Sequence, residues 1–589
     1  MRHRRPHAPP ALQRHPGAEG VGGVLARVRD HPDSQGHGRQ AHLLRRDQGG
    51  RDARAGPPAP DADRLDRDEE RALREPREIP GRVGGLRQGR RHLPRDRDRG
   101  LPCHSRGLHG GAGEPPQLTA VDDLGWLSAL DLAGLIRKKA VSPVEVVDVV
   151  LARIERLNPR LNAFCAVTAE EAREVALAAE VAVMTGEPLG PLHGVPFSVK
   201  DLVFTRRVRT TGGSRLFAEH VPEEDAVAVE RLKGAGAILV GKTNTPEFGH
   251  KGVTDNPLFG VTRNPWNPDL TAGGSSGGAG VAVAAGLGPL AVGTDGGGSI
   301  RIPASFCGIY GLKPSHGRVP QYPTFRGWHG VSVTGPMTRT VRDAALMLDV
   351  MAGPDDRDRH SLPAEDGGPY LAACDAGIAG LSVAWSPDLG HGRVDPHVEH
   401  LCREAAERFE SLGCHVEVVT PSWENPEEIF RVMSAAETYA AWGHAMADGE
   451  DRLDRSLVAV LRFGRTIGIE SYLGAAHRRE DFWTEVQRFL ARFDLLITPT
   501  VAVPPFPVGK PGLKEIDGHP VSPLGWMPFA FPFNLTGQPA ATVPVGFTPS
   551  GLPVGLQIVG RRHAERAVLA ASAAFEAAAP WAARHPDVD

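Results

Sequence analysis

An α/β layered fold is predicted, with helices alternating with short apolar strands and catalytic chemistry carried on Gly/Ser-rich loops between them. Three observations support it. Ser142-Pro143-Val144-Glu145 sets a capping hydroxyl before a proline at the first helical position, with a glutamate at the third. Val146, Val147, Val150, Leu151, Ile154 and Leu157 then recur at helical spacing. Short apolar runs, Ala237–Val240 and Pro289–Thr294, read as buried strands among further helical segments at Thr168–Ala179, Asp225–Lys233 and Gly277–Ala285.

The chain divides by texture. Residues 1–117 are crowded with Arg, Gly, Pro, Asp and His, and the first 116 contain no Lys, Phe, Tyr, Trp or Asn. With few large apolar side chains to bury, such a segment cannot offset the entropy of folding. It is expected to be disordered, or a spurious extension read from GC-rich DNA upstream of the true start. Residues 118–589 are expected to form a single catalytic domain.

Over the whole 589 residues, 41% are hydrophobic and 23% charged, an ordinary globular balance. A net charge of −4 argues against nucleic acid as partner, which would call for a basic excess. The six cysteines (Cys103, Cys165, Cys307, Cys374, Cys402, Cys414) show no C-x-x-C spacing, so reduced thiols are expected. With no secretory leader and no membrane-length apolar run, the expected location is cytoplasmic, with no membrane partner. A homodimer stays open.

Three islands carry the chemistry: Gly194–Asp201, ending in Val199-Lys200-Asp201; Gly273-Gly274-Ser275-Ser276-Gly277-Gly278; and Thr294-Asp295-Gly296-Gly297-Gly298-Ser299-Ile300-Arg301. Other readings of the glycines are available. Gly236 with Gly241-Lys242-Thr243 matches a phosphate loop in letters, but a strand between them cannot wrap phosphates. Gly273–Gly277 fits the G-x-S-x-G elbow, which would make Ser275 a nucleophile served by a histidine such as His316, His329, His415, His444 or His563.

Together the islands resemble the amidase signature family, whose members carry a Ser–cis-Ser–Lys triad. Gly241–Asn244, Asn256–Gly260, Pro303–Gly308, Gly311–Pro314, Asp494–Thr500, Pro532–Ala540 and Gly551–Gln557 extend the likeness over residues 120 to about 578. The resemblance implies a central mixed twisted sheet covered by helices on both faces. It makes Ser299 the nucleophile, Ser275 the relay and Lys200 the base, with a cis peptide between Gly274 and Ser275. It also implies a small-molecule amide as substrate and no metal or organic cofactor.

These residue types suit amide cleavage. A serine hydroxyl needs a base within hydrogen-bond reach, and lysine serves only when neutral, which desolvation achieves. Backbone N–H groups of Gly296, Gly297, Gly298 and Ser299 can converge on a developing oxyanion, worth about 3–4 kcal/mol per donor. Ser276, Asp295 and Arg301 are expected to support the loops. Phe248, Trp526 and Phe529 are expected in the substrate pocket; Tyr310 is a weaker candidate. Two rival readings follow. The amidase-type subunit of a glutamine-dependent tRNA amidotransferase belongs to the same family but needs an acid for the glutamine ammonium, where Met527 aligns. A binding protein on the same fold would lack the chemistry altogether.

Overall fold

The computed structural model describes residues 121–588, with side chains from Leu124 onward. The expectation of a disordered or spurious segment at 1–117 lies outside these residues. An eleven-stranded sheet organises the chain: β1 (Phe164–Val167), β2 (Pro196–Lys200), β3 (Ile238–Thr243), β4 (Leu290–Asp295), β5 (Tyr310–Lys313), β6 (Val333–Thr338), β7 (Ser382–Trp385), β8 (His415–Val418), β9 (Leu495–Pro499), β10 (Ala540–Phe547) and β11 (Pro553–Gly560). Their spatial order is β1-β3-β2-β4-β6-β5-β10-β11-β9-β7-β8. The sheet is mixed. Strand β2 runs parallel to both β3 and β4, and β7 runs parallel to both β8 and β9. The six remaining pairings are antiparallel.

Among the described residues, twelve α-helices of seven residues or more surround this sheet: α1 (Ala129–Arg137), α2 (Pro143–Leu161), α3 (Ala169–Thr185), α4 (Val227–Gly234), α5 (Gly277–Ala284), α6 (Arg301–Cys307), α7 (Val341–Met351), α8 (Pro396–Ser411), α9 (Glu427–Trp442), α10 (Arg455–Arg465), α11 (Ile469–Leu490) and α12 (Glu565–Ala578). Alternation along the strands explains why both faces are covered. Leu290 and Val292 of β4 join the core beneath α1, α4, α7, α8 and α12, whereas Ala291 joins the opposite core with α5 and α6. In β9, Leu495 and Ile497 share the first core, while Leu496 packs with α9 and α11. The layered α/β architecture expected from sequence is the one observed.

Local rules account for the elements nearest the site. Ser142 accepts from Val144 N, and Glu145 accepts from Ser142 N, closing the capping box of α2. Helix α4 begins two residues later than Asp225, because Asp225 is engaged with Arg206 N and Lys233. The Gly241-Lys242-Thr243 sequence is strand β3 itself, so it forms no phosphate loop. Lys242 is instead buried, with Nζ donating to Val203 O and to the hydroxyls of Thr205 and Thr210 at 2.8 Å each. It ties down the segment that follows Lys200.

Candidate active site

The site lies where the C-terminal ends of the neighbouring parallel strands β2 and β4 meet the N-termini of α5 and α6. Lys200 is the last residue of β2; Thr294 and Asp295 close β4. Ser275 lies two residues before α5, and Ser299 two residues before α6. The three islands, far apart in sequence, thus converge on one pocket, whose wall includes Ser275, Thr294, Gly296 and Ser299.

Lys200 is completely buried, and its Nζ lies 2.7 Å from Ser275 Oγ. A further bond joins Nζ to Thr294 Oγ1 at 2.9 Å, with Thr294 O at 3.4 Å. Burial drives the Lys200 pKa well below its ordinary value, and the charge of Asp295 opposes this only in part. A neutral amine has two N–H bonds and one lone pair. Thr294 accepts the hydrogens, which leaves the lone pair for the Ser275 hydroxyl.

The Gly274–Ser275 peptide is cis. Ser276 does not face the pocket. Its Oγ donates to Thr294 O at 3.1 Å and accepts from Thr294 N, while its own N–H donates to Ser299 O. It therefore stitches the second island to the third. Among the described residues, no hydrogen bond joins the hydroxyls of Ser275 and Ser299.

The Gly296–Ser299 turn is held from below. Burial pushes the Asp295 carboxyl upward, but Arg301, Lys313 and the Asn534 amide outweigh it and hold the group well below the usual carboxylate range. Arg301, itself fully buried, donates Nε and Nη2 to Asp295, Nη1 to Ala530 O and Gln557 Oε1, and Nη2 to Asn534 Oδ1. Asn534 Nδ2 returns bonds to Asp295 O and Oδ1, both at 2.9 Å. This network places Asp295 and Arg301 as braces beneath the turn.

One of the four expected oxyanion donors must be revised. The N–H of Gly298 donates to Asp295 Oδ1 at 2.7 Å, so it is already committed. No hydrogen bond uses the N–H of Gly296, Gly297 or Ser299 among the described residues. Gly298 has a different task. Its φ of +115° lies where L side chains are strained, and a Cβ there would sit 2.5 Å from that of Ala530. Gly298→Ala is therefore expected to cost about 2–4 kcal/mol. A urea unfolding midpoint checks this; an unchanged midpoint would contradict it.

The pocket forecast is partly corrected. Phe248 does line the pocket, with φ +50° and its ring stacked on Trp442 at 3.9 Å and 4°. Trp526 and Phe529 do not. Trp526 packs against Phe306 and Phe506 in the core, and Phe529 is fully buried with its carbonyl accepting from Gln557. Their segment meets the site through backbone and Asn534, because its rings are drawn into the apolar space behind α6. Met527 is likewise a core residue, and Tyr310 is buried with its hydroxyl on Ser572.

The aromatic wall comes instead from Phe325, Trp328 and Trp442 beside Phe248. Phe217 backs them, edge-on to Phe325 at 5.2 Å and to Trp442 at 5.7 Å. Among the described residues, no aspartate or glutamate lines this wall. None of His316, His329, His415, His444 and His563 lines it either. Among the described residues the histidine that does is His250, whose ring nitrogens are bonded to Glu247 O and Ser456 Oγ, both at 2.7 Å. Burial, with Lys251 beside it, lowers its pKa to about 4. An elbow-type Ser–His arrangement around Ser275 is absent among the described residues.

Known proteins resemble this chain along most of its length. The Amidase family model matches residues 145–569. An acylamidase of Rhodococcus erythropolis is 42% identical over 472 residues, spanning 79% of this chain and 98% of its own length. The A-type subunit of the glutamyl-tRNA(Gln) amidotransferase of Moorella thermoacetica is 36% identical, spanning 79% and 99%. Among solved structures, a bacterial aryl acylamidase of the amidase signature family superposes with a TM-score of 0.73 at 36% identity, covering 78% of this chain and 97% of that one. The chain belongs to the amidase signature family and is an amidase, an enzyme that hydrolyses carboxylic amides.

Proposed function

We propose that the enzyme cleaves amides bearing an aromatic group, through an acyl-enzyme on Ser299. The single observation that carries the substrate class is the pocket wall, in which Phe248, Phe325, Trp328 and Trp442 gather beside the two serines with no acidic side chain among the described residues.

In this reading neutral Lys200 accepts the Ser275 proton while Ser275 accepts that of Ser299. The link between the two serines closes once a substrate carbonyl fills the pocket. Ser299 Oγ attacks the carbonyl carbon, and the N–H groups of Gly296, Gly297 and Ser299 receive the oxyanion. Collapse breaks the C–N bond, and the proton returns through Ser275 to the leaving amine. Water, deprotonated by the same relay, then releases the carboxylate. Thr294 orients the Lys200 lone pair, and Ser276, Asp295 and Arg301 hold the loops. We read the enzyme as cytoplasmic, consistent with five described cysteines that are all free thiols, and as needing neither nucleic acid nor cofactor.

A glutamine-specific enzyme would require a carboxylate for the substrate ammonium. Met527, the position that first suggested its absence, lies in the core. The pocket wall carries the distinction instead. A hydrolysis screen over aliphatic amides, aryl amides, anilides and glutamine, blanked with Ser299→Ala, tests the reading. Aryl amides or anilides are expected to exceed glutamine in kcat/KM by about a hundredfold or more, the order of discrimination a built pocket achieves. Steady glutamine hydrolysis at a comparable rate would overturn it.

A further inference from the structure

The segment that supplies Phe325 and Trp328 to the pocket also carries Arg326, which lines the same space and is exposed. Among the described residues Arg326 makes no ion pair and no hydrogen bond. Most other pocket-wall groups have assigned partners. Trp328 Nε1 donates to Thr438 Oγ1 at 2.8 Å, and Trp328 N donates to Glu437 Oε2 at 3.0 Å. Glu437, the acid that contacts this segment, also accepts from the Tyr472 hydroxyl at 3.2 Å. Phe325 is fixed edge-on against Phe204 at 4.9 Å and against Phe217.

Arg326 thus springs from a backbone pinned on both sides, beside an aromatic wall whose bonded acid, Glu437, is taken up by Trp328 N and the Tyr472 hydroxyl. A guanidinium so placed presents a planar fork of donors to a carboxylate while the ring of the same ligand packs on Phe248 and Trp442. With the backbone on either side held, only the Arg326 side chain itself has to be ordered on binding.

We propose that Arg326 forms a subsite for an anionic substituent, so that the preferred substrates are aromatic amides carrying a carboxylate remote from the scissile bond. The proposal rests on the aromatic-amide reading above, and it names the charge that such a substrate bears. Arg326 acts on specificity, not on the chemical step.

Binding and turnover separate the two ideas. Terephthalamic acid (4-carbamoylbenzoate) and benzamide differ by one carboxylate, and their Kd values can be measured by calorimetry on Ser299→Ala, which holds substrate without turnover. The carboxylate is expected to tighten binding roughly three- to tenfold at low salt, in line with a partly exposed ion pair. That gain should shrink towards unity at about 0.5 M salt, where the Debye length is short. Adding Arg326→Ala should abolish the gain and leave benzamide binding unchanged; Arg326→Lys should restore part of it. On the otherwise wild-type enzyme, Arg326→Ala should lower kcat/KM for the anionic amide through KM and leave the neutral amide unaffected. Equal Kd values for the two ligands, or a gain that survives Arg326→Ala, would overturn the subsite. Failure of the wild-type enzyme to turn over either amide would sink the aromatic-amide reading, while the binding arm still decides the role of Arg326.

Discussion

Ser299→Ala is expected to lower kcat by about four orders of magnitude or more, the scale seen when a serine nucleophile is removed from a preorganised site. Two serines compete for this role, and their surroundings separate them. Ser275 is 2% exposed, its hydroxyl is bonded to Lys200, and Gly249 closes over it so tightly that a Cβ there would stand 3.3 Å from Ser275 Oγ. Ser299 is 8% exposed, faces the pocket, and stands beside three N–H groups without protein partners among the described residues. An attacking oxygen must lie within reach of both the substrate carbon and the oxyanion donors, and only Ser299 sits in the turn that bears them. A fluorophosphonate should therefore add one label per chain to the wild type, at Ser299 by peptide mass mapping, and none to Ser299→Ala. Ser275→Ala should keep the labelling site and slow its reaction. Labelling at Ser275 in the Ser299→Ala protein would restore the elbow reading. A folded wild-type protein that takes no label would point to a binding protein on this fold.

The sequence disclosed the chemistry better than the specificity, and the reason is locality. Lys200, Ser275 and Ser299 sit in short Gly/Ser-rich islands whose backbone requirements leave a visible trace: Gly298 needs its φ of +115°, and Gly274 has no room for a Cβ beside the Val253 backbone. Strands and helices around them follow from short-range periodicity, and Pro143–Leu161 and Leu290–Asp295 fall where their patterns place them. Specificity was hidden because no local pattern joins Phe248, Phe325 and Trp442; only the packing of α9 against the Phe325 loop brings them together. An aromatic run such as Trp526–Phe531 looks like a pocket in sequence and becomes core in space, since burial rewards any apolar ring equally. Asn534 and Thr294 lie within recognisable motifs, yet their tasks appear only when Asp295 and Lys200 arrive beside them. Gly298 shows the limit most sharply: three successive glycines look alike as donors until Asp295 takes one.

Replacing Lys200 by alanine is expected to lower kcat/KM by about a thousandfold, within the range that general-base catalysis supplies, and to change the pH profile in kind. Lys200 works only with its lone pair free. Below its pKa the amine is protonated and the relay has no acceptor; above it the amine is neutral and active. Since burial sets that pKa well below the ordinary lysine value, kcat/KM should climb with pH through the lowered pKa and level off above it. Burial lowers the His250 pKa to about 4 and Arg301 holds Asp295 below the usual carboxylate range, so neither gives a limb near neutrality. Buried Lys313, lowered to about 7, lies off the pocket wall, and any limb it adds would survive in Lys200→Ala. In Lys200→Ala the limb belonging to the lysine should vanish, while any inflection near 4 persists. Lys200→Arg should not recover activity, because a guanidinium stays protonated throughout the working range. Thermal melts that match the wild type establish that each variant is folded. A wild-type profile flat from acid to alkaline pH would refute the lysine as base, as would the same acid limb in Lys200→Ala. Retention of the limb with loss of rate would shift the base to another group on the pocket wall, and His250, bonded at both ring nitrogens, would have to release Ser456 to serve.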